Sequence, residues 1–171
     1  NFDKAFEFYE KSGQQGNSFA INRIGYCYRN GIGVKSDISK ALEYYRKGAE
    51  LGNPYSICNL GTLYVDGIGV EKDYNKAFEL YQRAVDLGYP RALYNIGELY
   101  EQGEVVEQNY NKAIEYFKEA IRKNDYLSKY NLAHLYIYEE LSDNRFEMAI
   151  KLLVESSILG FQPSQELLTL V

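Results

Sequence analysis

Cysteine, histidine, basic charge and long apolar runs are all scarce in this sequence, and each scarcity removes a class of function. Of 171 residues only two are cysteines. Cys27 and Cys58 have neither metal-ligand spacing nor the regular recurrence of a disulfide scaffold. They read as small apolar side chains, and as free thiols they lean towards a reducing, cytoplasmic compartment. No apolar stretch approaches the roughly 20 residues that cross a bilayer, and no leader pattern opens the chain. Direct membrane insertion by this segment is therefore not expected. The formal charge of −5, with no basic run, argues against nucleic acid, because phosphate binding draws most of its affinity from Lys and Arg.

What the chain does have is a period. Hydrophobic residues make up 46% and charged residues 25%, enough for a continuous core under an ordinary surface. In steps of 36 residues, Gly25 leads to Gly61, Gly97 and Ala133. In the same phase run Tyr28, Tyr64, Tyr100 and Tyr136; Ala5, Ala41, Ala77, Ala113 and Ala149; and Tyr9, Tyr45, Tyr81, Phe117 and Leu153. Gly16, Gly52, Gly88, Asn124 and Gly160 follow the same step. A repeat of this length marks a solenoid in which each unit buries its apolar face on its neighbours.

Each repeat reads as two helices. In the second, apolar residues Ile57, Leu60, Leu63 and Tyr64 fall at helical spacing over Pro54–Asp66, with Pro54 in the first turn, where a missing N–H costs nothing. A second helix is predicted over Tyr74–Leu87, capped by Asp73 and closed by a left-handed Gly88. It turns Ala77, Phe78, Tyr81, Ala84 and Val85 inward, and Glu79 and Arg83 are spaced for an i,i+4 pair outside. The glycine column at 25, 61 and 97 lies in mid-helix, where Gly costs about 1 kcal/mol against Ala. Close approach of the two helices of a repeat is the expected reason. The fold class predicted is all-α, a right-handed α–α superhelix of antiparallel helix pairs.

The Gly-x-Gly in Gly31-Ile32-Gly33-Val34 and Gly67-Ile68-Gly69-Val70 is not a phosphate loop. Such a loop follows a strand and opens a helix, whereas these glycines close one. Gly31 and Gly67 read as C-terminal caps, Val34 and Val70 as apolar anchors. No cofactor and no metal is expected.

Written out, the second repeat holds Leu60-Gly61-x-Leu63-Tyr64, then Gly67-x-Gly69-Val70, then Asp73-x2-Lys76-Ala77 at fixed spacing. This pattern resembles the SEL-one-like repeat (SLR) family, relatives of the tetratricopeptide repeat with a longer loop between the helices. The resemblance covers essentially the whole chain, as four full repeats at 18–53, 54–89, 90–125 and 126–161. Residues 1–17 read as the second helix of a preceding repeat and 162–171 as the first helix of a following one, so a stretch of one continuous, longer array is expected. The third repeat has Val105 for the second loop glycine and Asn109 for Asp. The fourth has Glu139 and Leu141 where both glycines stood. The family implies adaptor or scaffold roles, in membrane-protein degradation, host interaction and signalling complexes. Its cysteine-rich bacterial members pair a disulfide in each repeat and are linked to penicillin binding. The paired cysteines are lacking here, so nothing transfers from them.

By the same resemblance, the first helix of each repeat lines a concave groove, and its non-core columns are the candidate contacts for a protein or peptide partner. One column is Arg23, Asn59, Asn95, Asn131, whose amides both donate and accept and so suit an extended backbone. A second holds Tyr94 and Tyr130, rings of the kind enriched at interfaces; a third is Tyr26, Thr62, Glu98, His134; the rim is Arg29, Val65, Glu101, Ile137. Against this stands the reading that the asparagines bridge local groups and the tyrosines pack between repeats. His134 is the single histidine, and with no nucleophile in reach it is read as a groove residue, not a catalytic one. The expected role is a binding module, with an architectural spacer or self-association segment as the alternative.

Overall fold

The computed structural model describes residues 2–105, 107–138 and 144–170. The described residues form ten α-helices and no strand. They group into two compact bodies, residues 2–89 and 90–170. The first contains α1 (Phe2–Gln14), α2 (Ser18–Asn30), α3 (Ile38–Glu50), α4 (Pro54–Asp66) and α5 (Tyr74–Asp86). The second contains α6 (Pro90–Gln102), α7 (Tyr110–Arg122), α8 (Leu127–Tyr138), α9 (Asn144–Ile158) and α10 (Gln162–Leu168). Within each body a helix packs chiefly on its neighbours in the chain, as in a repeat solenoid.

Local chemistry explains where the helices begin and end. Asp37 and Asp73 accept from the N–H groups of Lys40 and Lys76, and Asn109 does the same for Lys112. The Asp-to-Asn change in the third repeat therefore leaves the cap intact, since either side chain offers the needed oxygen. Gly31 and Gly67 close α2 and α4 at φ 68°, a left-handed conformation that costs a side chain dearly and glycine nothing. Gly88 does the same after α5, at φ 80°, though that helix ends at Asp86, one residue before the predicted Leu87.

The loop inside each of the first three repeats is shut by one recurring backbone bond. Asp37, Asp73 and Asn109 donate their N–H groups to the carbonyls of Tyr28, Tyr64 and Tyr100 at 2.9, 3.0 and 2.9 Å. Val105 does not disturb this closure, because Gly103 still supplies the left-handed residue at φ 72°. The second loop glycines serve a different end. A Cβ on Gly33 would collide with the Phe2 carbonyl oxygen, and one on Gly69 would stand 2.6 Å from the Ile38 side chain. Each of these loops thus lies against the first turn of the second helix one repeat earlier. Glu139 and Leu141, the substituted positions of the fourth repeat, lie outside the described residues.

Core and surface follow the columns. Ala41, Tyr45, Ala77, Ala84, Ala113, Phe117, Ala149 and Leu153 are buried, as are Ile57 and Leu63. Phe78 and Val85 are only half-buried, and Leu80 takes the enclosed place beside Tyr81. Arg83 departs from its predicted pairing with Glu79. Its guanidinium donates to the Ala49 carbonyl at 2.7 Å, in the last turn of α3, and Glu79 pairs with Lys76. The Ala49 carbonyl accepts from the Gly52 N–H and still has a lone pair for Arg83, and an exposed ion pair on the same helix contributes little to compete with it.

Candidate functional site

The first helices α2, α4, α6 and α8 bury one face against second helices and leave the other partly open. In the first body that open face is tied together by a polar chain. The Asn59 amide donates to Asn22 Oδ1 at 2.9 Å, and the Ser56 hydroxyl reaches the same oxygen at 3.4 Å. Asn22 is buried, so an unpartnered amide there would cost about 1–3 kcal/mol. Asn59 thus joins α4 to α2 with its donor group, while its oxygen accepts nothing from the described residues. Arg29 and Asp66 form a rim ion pair at 3.2 Å. Arg23 is exposed and Tyr26 is 43% exposed, both on the solvent side of α2.

The second body holds a tighter cluster. Tyr94 donates its hydroxyl to Glu98 at 2.6 Å, and the Asn131 amide donates to the Tyr94 oxygen at 3.3 Å. The Arg91 guanidinium lies over the Tyr94 ring, 4.4 Å from its centre, and pairs with Asp125 at 3.5 Å. Burial pushes the Glu98 carboxyl above the usual carboxylate range, although Tyr94, Arg91 and Asn131 all pull it back. The Tyr94 hydroxyl is pushed up for the same first reason, reinforced by the adjoining carboxylate. Asn95 and Glu101 are half-buried and engaged within the fold, Glu101 accepting from Gln108 through its backbone carbonyl at 2.8 Å.

Along α8 three rings stand at successive turns. Tyr130 and His134 have centroids 6.2 Å apart, His134 and Tyr138 4.5 Å apart, and Phe161 closes on Tyr130 at 5.5 Å. Tyr138 is 53% exposed, and sequence reasoning passed over it by stopping the rim column at Ile137. A signal was present: the same column holds Asn30, Asp66 and Gln102 in the other repeats, so an aromatic there is a departure. His134 faces the rings of Tyr130 and Tyr138. No group of three or more His, Cys, Asp or Glu among the described residues could hold a metal ion. No helix among them is long and apolar enough to cross a membrane. Cys27 and Cys58 are buried thiols, not joined in a disulfide.

Helix pairs in register, left-handed glycine caps and polar ties from one repeat to the next define an α-solenoid of the repeat-protein class. The chain belongs to the Sel1 repeat family, whose profile matches residues 1–17, 18–53, 54–89 and 90–125. Similar solved structures include the Sel1 repeat protein of Oxalobacter formigenes, 29% identical with a TM-score of 0.84 over 96% of this chain and 67% of that one. Another is c5321, a protective antigen of uropathogenic Escherichia coli with an SLR fold: 29% identity, TM-score 0.79, 98% of this chain but 36% of that one. Cysteine-rich protein B of Helicobacter pylori shares the fold, at 24% identity and a TM-score of 0.56 over 74% of this chain and 91% of that one. No curated protein matches.

Proposed function

We propose that the chain is a protein-recognition module, an adaptor or scaffold that takes a peptide or partner surface on the open face of its first helices. The observation that carries this reading is the aromatic row Tyr130, His134 and Tyr138 on α8. Rigid amphipathic rings in partial exposure give contact area at low entropic cost, which is why interfaces are rich in them. The fold supplies its own supports: Asn59 and Asn131 spend their donors on Asn22 and Tyr94, so they hold neighbouring first helices in register. In the first body Arg23, Tyr26 and Arg29 then offer charge and hydrogen bonds beside Asn59, and in the second Tyr94, Asn95, Glu98 and Glu101 do so beside Asn131.

Affinity capture tests the reading, using immobilised wild type, a Tyr130→Ser/Tyr138→Ser variant and an Asn59→Ala/Asn95→Ala/Asn131→Ala variant. Circular dichroism checks that each remains helical. A partner enriched by wild type and lost by the folded tyrosine variant is the expected result. Identical capture by all three proteins would overturn it.

A further inference from the structure

The strongest unexplained surface lies on the opposite side of the repeats, along the second helices. Between α7 and α9 runs an apolar groove of about 380 Å³, floored by Tyr136 and walled by Met148 and Leu152, with three cations, Lys118, Arg122 and Lys151, and one carboxylate, Glu155, at its edges. Met148 is 56% exposed.

The repeat supplies an internal control. One repeat earlier the equivalent groove, about 290 Å³, is lined by Lys112, Glu115 and Tyr116. There Tyr116 stacks on Tyr100 at 5.5 Å and Lys112 covers the same ring at 5.0 Å; beside Tyr136 the same two positions hold Leu152 and Met148. At the Met148 position the other second helices carry Lys4, Lys40, Lys76 and Lys112; at the Lys151 position they carry Glu7, Glu43, Glu79 and Glu115. The scaffold therefore needs neither methionine nor a cation there. α9 alone replaces a lysine by an apolar side chain and reverses a charge, both at one groove.

The charges of this groove are unevenly spent. Glu119 is taken by Arg122 and Lys123, and Glu155 by Lys129. Lys118 lies 5.9 Å from the centre of the Tyr136 ring, with Arg145 at 5.5 Å from the same centre. Among the described residues neither Lys118 nor Lys151 has a carboxylate within ion-pair distance. In a chain of formal charge −5 this is a local excess of positive charge around an apolar trough.

We propose that the α7–α9 groove is a second docking site, built for an amphipathic helix of a partner protein whose apolar stripe is flanked by carboxylates. Two helices side by side leave a groove that the ridge of a third fits. Leucines of such a helix would cover Met148 and Leu152, and its acidic edges would reach Lys118 and Lys151. A flat anionic bilayer meets the lysines but not the recessed floor.

The probe is a synthetic helical peptide about as long as α9, with a leucine stripe flanked by glutamates, followed by fluorescence anisotropy. Its control carries the same leucines flanked by lysines. Saturable binding of the acidic peptide alone is expected, weakened about tenfold or more by Lys118→Glu/Lys151→Glu and by Met148→Lys, which restores the side chain of the other repeats. The Tyr130→Ser/Tyr138→Ser variant should bind the peptide as wild type does, so failure here is distinguishable from failure of the first-helix reading. Equal binding of both peptides, or no binding, overturns the proposal. So does concentration-dependent self-association that Met148→Lys abolishes, or adsorption to phosphatidylserine vesicles that the lysine variant loses while the acidic peptide does not bind.

Discussion

The Cβ that Gly61 lacks would stand 2.7 Å from the Tyr81 ring. The same relation joins Gly25 to Tyr45 at 2.8 Å and Gly97 to Phe117 at 2.5 Å. One step of 36 residues further on, the glycine has become Ala133 and its aromatic counterpart Leu153, both fully buried. Two columns of the repeat are thus one contact: the methyl appears where the ring is gone.

Gly61→Ala should therefore destabilise, by about 1–3 kcal/mol of overpacking, where an unhindered helical glycine would gain about 1 kcal/mol from the change. Adding Tyr81→Leu should recover part of that loss. Urea unfolding of the two single variants and the double variant measures the coupling. A cycle in which the two effects simply add would show that ring and glycine do not share the space.

Tyr45 and Tyr81 occupy the same position one repeat apart but differ at the hydroxyl. That of Tyr81 meets Thr62 at 3.3 Å, while that of Tyr45 is buried without a partner, its pKa pushed up to about 12 chiefly by burial. Where Thr62 stands in the second repeat, the first has Tyr26 turned to solvent. Tyr45→Phe is expected to raise stability by about 1 kcal/mol, and Tyr81→Phe to lower it by about as much. Denaturant midpoints read both signs directly.

Glu98 gives a pH signature. Burial raises its folded pKa above the ordinary value of 4.5, so the folded state holds the proton more tightly than the unfolded chain. Stability from this group is then fully present below pH 4.5 and is lost as pH rises through the folded pKa. Glu98→Gln should be more stable than wild type at neutral pH, with the difference vanishing in acid. Thermal melts of both proteins across that range would find it, and a constant difference at all pH values would contradict the assignment.

The caps provide a fourth test. Asp73→Ala should cost about 1 kcal/mol, because the Lys76 N–H loses its acceptor. Asn109→Asp should leave stability within about 0.5 kcal/mol, since the same oxygen meets Lys112 in either form. Chemical denaturation of the two variants distinguishes a capping role from a need for charge.

The features legible in the sequence are those set by backbone chemistry within a repeat. Asp73, Gly67 and Gly88 announce helix ends because the conformations and acceptors they supply are local, and a fixed period repeats the announcement. The mid-helix glycines announced a close approach, but not that an aromatic ring was what approached. Direction of side chains between repeats was not legible. Asn59 and Asn131 shared a column, yet Asn59 ties to an asparagine and Asn131 to a tyrosine, because the neighbouring column holds Asn22 in one place and Tyr94 in the other. Arg83 likewise found a carbonyl that lies 34 residues away in the chain, outside any local spacing rule. Tyr138, Met148 and Lys151 were legible only as departures from their columns, and a reading that follows what the repeats share passes over what one repeat changes.

Gly33 and Gly69 meet the preceding repeat at its helix start, one against a main-chain carbonyl and the other against a single methyl. A joint made this way asks for a glycine in the loop and little of the side chain it meets, whereas the polar ties are particular to each pair, Asn59 with Asn22 and Asn131 with Tyr94. Exchanging whole repeats would then leave the loop joints matched while mismatching the polar ones, so the order of the repeats is written in the tie columns.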